Sequence, residues 1–151
     1  DWIAEDRYRA VRDAKRFETW EFAWALVLGT GEAARYATAV GLEKIRDRVR
    51  ALAGRLREAL GAIDQVRVLD HGSELCGIVS AWVDGRDPSE LVTALRNRRI
   101  NTSAQIRGYA VIDCDEKGVE ASLRMSPHYY NTEAEVDQTV SAIRELVLES
   151  G

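Results

Sequence analysis

The stretch Leu123-Arg124-Met125-Ser126-Pro127-His128-Tyr129-Tyr130-Asn131-Thr132 holds the densest set of groups in this sequence that could bind or react. Arg124 stands near the end of Val119–Met125, a segment whose apolar residues alternate as a strand requires. A guanidinium there is either a strand-edge group turned to solvent or a receptor for an anion. Its planar fork matches a carboxylate, and it keeps its charge at any working pH. Other chemistries have less footing. His71, Cys76, Cys114 and His128 lack the closely spaced ligand pairs of a zinc site, so no metal is expected. No Gly-x-Ser-x-Gly elbow and no Gly-rich phosphate loop occurs. Cys114 lies between Asp113 and Asp115, a setting unfavourable to a thiolate nucleophile, and Cys76 reads as a small core residue inside an apolar strand.

An arginine on a strand acts only if other elements hold that strand still. From Gly31 to about Leu60 the hydrophobic period is helical, with Ile45, Val49, Leu52, Leu56, Ala59 and Ile63 on one stripe. Lys44, Arg46, Arg48, Arg50, Arg55 and Arg57 lie opposite; interspersed Glu43, Asp47 and Glu58 make this a solvated face rather than a nucleic-acid surface. Val66–Leu69 and Leu75–Val83 read as strands around Asp70-His71-Gly72-Ser73. Asp87-Pro88-Ser89-Glu90 starts a helix to about Arg98, with Leu91, Val92 and Leu95 inward. Ile100–Ala104 is a candidate short strand, and residues 105–118 read as a loop. Thr132 with Glu135 forms a capping box before the stripe Val136, Val140, Ile143 and Val147. So few strands with such short connections predict an α+β fold, a mostly antiparallel sheet covered by helices on one face.

The totals bound the function classes. A chain of 151 residues with 46% hydrophobic and 30% charged residues fits one soluble globular domain. Its formal charge of −4 creates no basic field for nucleic acid or an anionic membrane, and neither partner is expected. No apolar run reaches the roughly 18 residues of a transmembrane helix, and the first ten residues lack a signal-peptide core. With two cysteines there is no disulfide framework, and a cytoplasmic location is expected. Residues 1–21 are charge-rich and irregular in pattern, and 22–29 could form one or two turns of buried helix. Three of the four tryptophans, Trp2, Trp20 and Trp24, fall in this opening part. They either complete the chain's own core or pack on a partner.

Arg124 followed by Ser126-Pro127-His128-Tyr129-Tyr130-Asn131-Thr132 and Glu135-Val136-Asp137 resembles the carboxy-terminal signature of class V aminotransferase-fold enzymes. That group includes cysteine desulfurases, selenocysteine lyases and isopenicillin-N-epimerase-like proteins. Arg16-Phe17-Glu18 is similar to the family's R-[FY]-E motif. Gly41-Leu42-Glu43-Lys44-Ile45 and Gly77-Ile78-Val79 also fit, in family order, from about residue 14 to 147.

The resemblance implies an interdomain segment and start of the small domain over 1–30, and a carboxy-terminal small domain over 31–151. The large domain, carrying the lysine that binds pyridoxal phosphate, would then precede Asp1. It implies that Arg124 pairs with the α-carboxylate of an amino-acid substrate and that Asn131 and Thr132 are structural. It also implies a homodimeric parent acting as an aminotransferase, epimerase or lyase. Relatives carry a Gly-Thr after R-[FY]-E that helps hold the cofactor phosphate across the dimer; in this sequence the stretch is Thr19-Trp20-Glu21. The cysteine of the desulfurase loop is absent from Ser103–Ala110. With only Lys15, Lys44 and Lys117, and none in the family's setting, the isolated chain is expected neither to bind the cofactor nor to be active. Trp2, Trp20 and Trp24 would face the large domain or a second subunit. The competing reading is a non-catalytic α+β ligand-binding or dimerisation module; the coding sequence ahead of Asp1 separates the two.

Overall fold

Gly41 adopts φ +102°, a conformation open to glycine and closed to the interior of a helix, and it divides the expected long helix in two. The computed structural model describes residues 1–18 and 21–149. It separates into a unit Asp1–Val40 and a unit Gly41–Gly151.

In the first unit, β1 (Trp2–Ala4) and β2 (Arg7–Tyr8) pair as a small antiparallel hairpin, with the Trp2 and Tyr8 rings edge to face at 6.2 Å. A 3-10 turn follows at Ala14–Phe17, capped by the Asp13 carboxylate. Helix α1 (Trp24–Val40) takes up most of the apolar run that begins at Phe22. That run was expected to be buried. Instead no residue of α1 is buried, and Trp24, Leu26 and Leu28 are each about 70% exposed. A helix this apolar ordinarily lies against other protein. Trp20, named with Trp2 and Trp24 as a packing residue, lies outside the described residues, as does Thr19.

The second unit begins with α2 (Leu42–Gly61), followed by β3 (Val66–Val68), β4 (Val79–Val83) and α3 (Pro88–Asn97). Strand β5 (Ser103–Ile106), helix α4 (Val111–Lys117), strand β6 (Ala121–Met125) and helix α5 (Glu133–Leu148) complete it. The four strands form one antiparallel sheet in the order β3-β4-β6-β5. Val79, Ala81 and Val83 of β4, with Leu123 and Met125 of β6, point to one face and meet Leu52, Leu56 and Leu60 of α2. Leu91 and Leu95 of α3 and Val136, Val140 and Ile143 of α5 close this core. The α+β architecture with helices over one sheet face is therefore as expected. The helix starts at Asp87 and Thr132 are realised too: the Asp87 carboxylate accepts from the Ser89 and Glu90 amides, and Thr132 and Glu135 form a full capping box.

Three local expectations fail for physical reasons. Leu75–Ile78 is not strand, and Cys76 is exposed rather than buried. Helix α2 claims that segment: the Arg57 guanidinium donates to the Cys76 and Ile78 carbonyls at 2.8 and 2.7 Å, which removes them from any ladder. Residues 105–118 are not a loop. They finish β5, make a 3-10 turn at Arg107–Tyr109 and form α4, which buries Cys114 with Leu69, Val119, Trp82 and Ala110. Trp82 sits between core-facing Ala81 and Val83, so this minor cluster covers part of the opposite sheet face. Nor is the basic side of α2 merely solvated. Arg48 reaches Glu133 and the Asn131 carbonyl, Arg55 binds Asp137 through two bonds, and Arg57 binds Asp70.

Two tests follow from this packing. A Cβ on Gly77 would lie 2.3 Å from Val49 Cγ1, and 3.4 Å from the Pro127 carbonyl oxygen. Gly77→Ala is expected to cost about 1–3 kcal/mol by overpacking, with part returned by Val49→Ala in the double variant; urea unfolding measures both. The second concerns acid. Arg48 donates to Glu133, and with the free amide at the start of α5 this pulls the Glu133 carboxyl from 4.5 to about 2. Asp137 is lowered chiefly by Arg55, and Asp115 chiefly by Arg107. Carboxyls depressed by folding stabilise above their unfolded values, and that contribution is lost as pH falls through the folded ones. Unfolding midpoints should thus hold above about pH 4.5 and decline toward pH 2. In Arg48→Met the part of that decline due to the Arg48–Glu133 pair should disappear, while the smaller part due to the α5 amide remains.

Candidate functional site

Strand β6 lies between β4 and β5, so Arg124 has a neighbour on each side: Ser80 in β4 and Ser103 in β5. Paired residues project to the same face, and Arg124 alternates with Leu123 and Met125, which enter the helical core. The row Ser80–Arg124–Ser103 therefore lies on the face away from α2, α3 and α5. The next row on this face pairs Gln105 with Ser122. Ser80 and Ser122 are buried, Arg124 and Gln105 half-buried, and Ser103 exposed.

Small hydroxyl side chains pair with Arg124 on both sides. No ion pair or side-chain hydrogen bond holds Arg124 among the described residues. Arg48, Arg55, Arg57, Arg98 and Arg107, in contrast, each hold a carboxylate. Among the described residues Arg124 is thus a half-buried cation without an acidic partner, set in a polar row on a central strand.

The platform is fixed from behind. Asp70 Oδ1 accepts the Ser80 amide at 3.0 Å, while Asp70 Oδ2 accepts Arg57 Nε at 2.7 Å. Past Arg124 the chain turns through a stack of rings, with His128 4.7 Å from Tyr129 and 5.0 Å from Tyr130. Asn131 closes that turn: its Oδ1 accepts the His128 amide and its Nδ2 donates to Glu135. Thr132 then caps α5. Both residues thus have structural work in anchoring the segment that carries the arginine.

The remaining sequence candidates do not join this row. Arg16 stacks on the Phe17 ring at 4.7 Å in the first unit. Cys114 is buried on the inner side of α4, and Lys117 pairs with Asp113 at 2.8 Å. Lys15 and Lys44 are exposed on other elements. Among the described residues no three His, Cys, Asp or Glu side chains converge as metal ligands, and no helix is long and apolar enough to cross a membrane. Sequence reading missed Ser80, Ser103 and Gln105, because only strand register reveals which residues flank Arg124. It also missed a cleft of about 460 Å³ at the end of the sheet, lined by Arg99, Asn101, Thr102, Tyr130 and Gln138. Arg124 is not part of that cleft.

Comparison with known proteins places these observations. The sequence model of the family described as aminotransferase class-V matches residues 5–139. A Mycobacterium leprae protein named probable cysteine desulfurase 1 is 29% identical over 131 residues, covering 87% of this chain and 21% of that protein. A probable cysteine desulfurase of Mycolicibacterium paratuberculosis is 30% identical over 87% of this chain and 19% of its own length. Among solved structures, the apo cysteine desulfurase of Thermococcus onnurineus superposes with a TM-score of 0.80 at 24% identity, over 99% of this chain and 37% of that one. An Escherichia coli cysteine desulfurase gives 0.77 at 26% identity, over 87% and 32%. The chain thus spans about a fifth of the length of these curated relatives and about a third of the two solved structures.

Proposed function

The chain belongs to the class-V aminotransferase family, and we propose that it forms the carboxy-terminal, substrate-carboxylate-binding domain of a pyridoxal-phosphate enzyme acting on an amino acid. The observation that carries this reading is Arg124, half-buried in the middle of the sheet between Ser80 and Ser103 with no acid beside it among the described residues. A bidentate guanidinium holds an α-carboxylate in one plane and so orients the amino group and the α-hydrogen of the same molecule. Fixing that orientation is the contribution of this chain.

The residues present do not fit the cofactor itself. None of Lys15, Lys44 and Lys117 lies on the Arg124 row, and Lys117 is committed to Asp113. The lysine and the group facing the pyridine nitrogen fall instead to a preceding large domain. Exposed Trp2, Tyr8, Phe17 and Trp24 supply apolar surface for that domain or for a second subunit of a homodimer.

Within the family, transamination, epimerisation and elimination are favoured over sulfur transfer through a protein thiol. Cys114 is 3% exposed within α4, and the segment from Ser103 to Ala110 has no cysteine. A cytoplasmic setting accords with this chemistry. Visible absorbance of the full-length gene product and of this chain, each with added pyridoxal phosphate, tests the assignment. A cofactor band in the full-length protein that is absent from the chain alone is expected. Absence from both would leave a non-catalytic module.

A further inference from the structure

We infer that the edge strand β5 selects the substrate, with Gln105 accepting only amino acids whose side chain can hydrogen-bond and Ser103 sharing the carboxylate with Arg124. This inference rests on the carboxylate role of Arg124. Ser103 pairs directly with Arg124, so both side chains leave the sheet on the same face, and Ser103 is exposed. Gln105 lies two residues along the same strand, on the same face, about 7 Å away at 3.3 Å per residue. The polar end of a short side chain lies a few ångströms from the α-carboxylate, and a hydrogen bond of about 2.9 Å to Gln105 covers the remainder.

No apolar side chain of the β5–β6 pairs occupies this part of the face; Trp82 of β4 is on the same face but lies across β6 from Gln105. Gln105 pairs with buried Ser122, while the apolar residues Ala104 and Leu123 pair on the opposite, core side. An apolar substrate side chain lying over Gln105 would strip water from its amide and return no hydrogen bond. A site built of hydrogen-bonding groups rejects such analogues more strongly than an apolar pocket rejects a missing methylene. The ligand class is therefore an amino acid with a hydroxyl or carboxamide on a short side chain.

The test uses the full-length, cofactor-loaded protein and reads apparent dissociation constants from perturbation of the visible spectrum, with two isosteric probe pairs. L-serine is set against L-2-aminobutyrate, and L-asparagine against L-leucine. The wild type should bind the polar member of at least one pair about tenfold or more tighter. Gln105→Met, matched in length, should erase that ratio with an unchanged thermal midpoint. Ser103→Ala should weaken all four probes by a similar factor, because all share the carboxylate. Equal binding within both pairs in the wild type, or a ratio surviving Gln105→Met, overturns the inference. Arg124→Ala separates the two levels. If it weakens all probes while Gln105→Met changes no ratio, selection by β5 falls and the carboxylate role stands; if it changes nothing, both fall.

Discussion

Arg57→Ala is expected to destabilise the chain by about 3–5 kcal/mol, the largest loss of any single ion pair in the second unit. The Arg57 and Asp70 side chains are only 12% and 10% exposed, and one guanidinium satisfies the Asp70 carboxylate together with two main-chain carbonyls. Truncation strands a nearly buried carboxylate and leaves both carbonyls without their donor. Exposed pairs such as Arg46–Asp47 contribute little and serve as the control. Asp70→Asn keeps an acceptor and should lose less than Arg57→Ala. Urea denaturation of the 151-residue chain measures all three. A loss below about 1 kcal/mol for Arg57→Ala would mean that the clasp between α2 and the start of β4 is dispensable.

The clasp also reaches the Arg124 row, because Asp70 fixes the amide of Ser80 and Ser80 flanks Arg124. The second large effect is at Arg124 itself. Removing the charged partner of a desolvated carboxylate costs about 2–5 kcal/mol, so Arg124→Ala in the full-length protein should weaken amino-acid binding by about 30-fold at the least. Arg124→Lys keeps the charge but not the planar fork, and should recover only part of the affinity. Stability should change little in either variant, since no carboxylate of the described residues depends on Arg124. Spectral titration for affinity and a urea curve for stability separate the two quantities.

Helix starts were legible in the sequence because their signals are local. Asp87 and Thr132 cap through amides two or three residues away, and the stripes of Leu91 with Leu95 and of Val136 with Val140 are one turn long. Strand β6 was legible for the same reason, as was the oddity of an arginine within it. Long-range partners were not. The basic residues of α2 look solvated until the fold brings Asp70, Glu133 and Asp137 to them. The apolar run Leu75–Ile78 looks like strand until Arg57 takes its carbonyls and Val49 backs onto Gly77. Helix α4 is too short, with one buried residue, to show a period, and its clearest local mark is Gly118 at φ +64° closing its end. Ser80, Ser103 and Gln105 carry no signal of their own; register alone sets them around Arg124.

The carboxylate role is tested most directly with two ligands that differ by that group alone. Full-length protein loaded with pyridoxal phosphate is titrated with L-serine and with ethanolamine, in the wild type and in Arg124→Ala, following the cofactor spectrum. If Arg124 receives the carboxylate, the wild type binds L-serine more tightly by about 30-fold or more, and Arg124→Ala binds the two nearly equally while leaving ethanolamine unchanged. Equal affinities in the wild type, or an advantage for L-serine that survives Arg124→Ala, would contradict it.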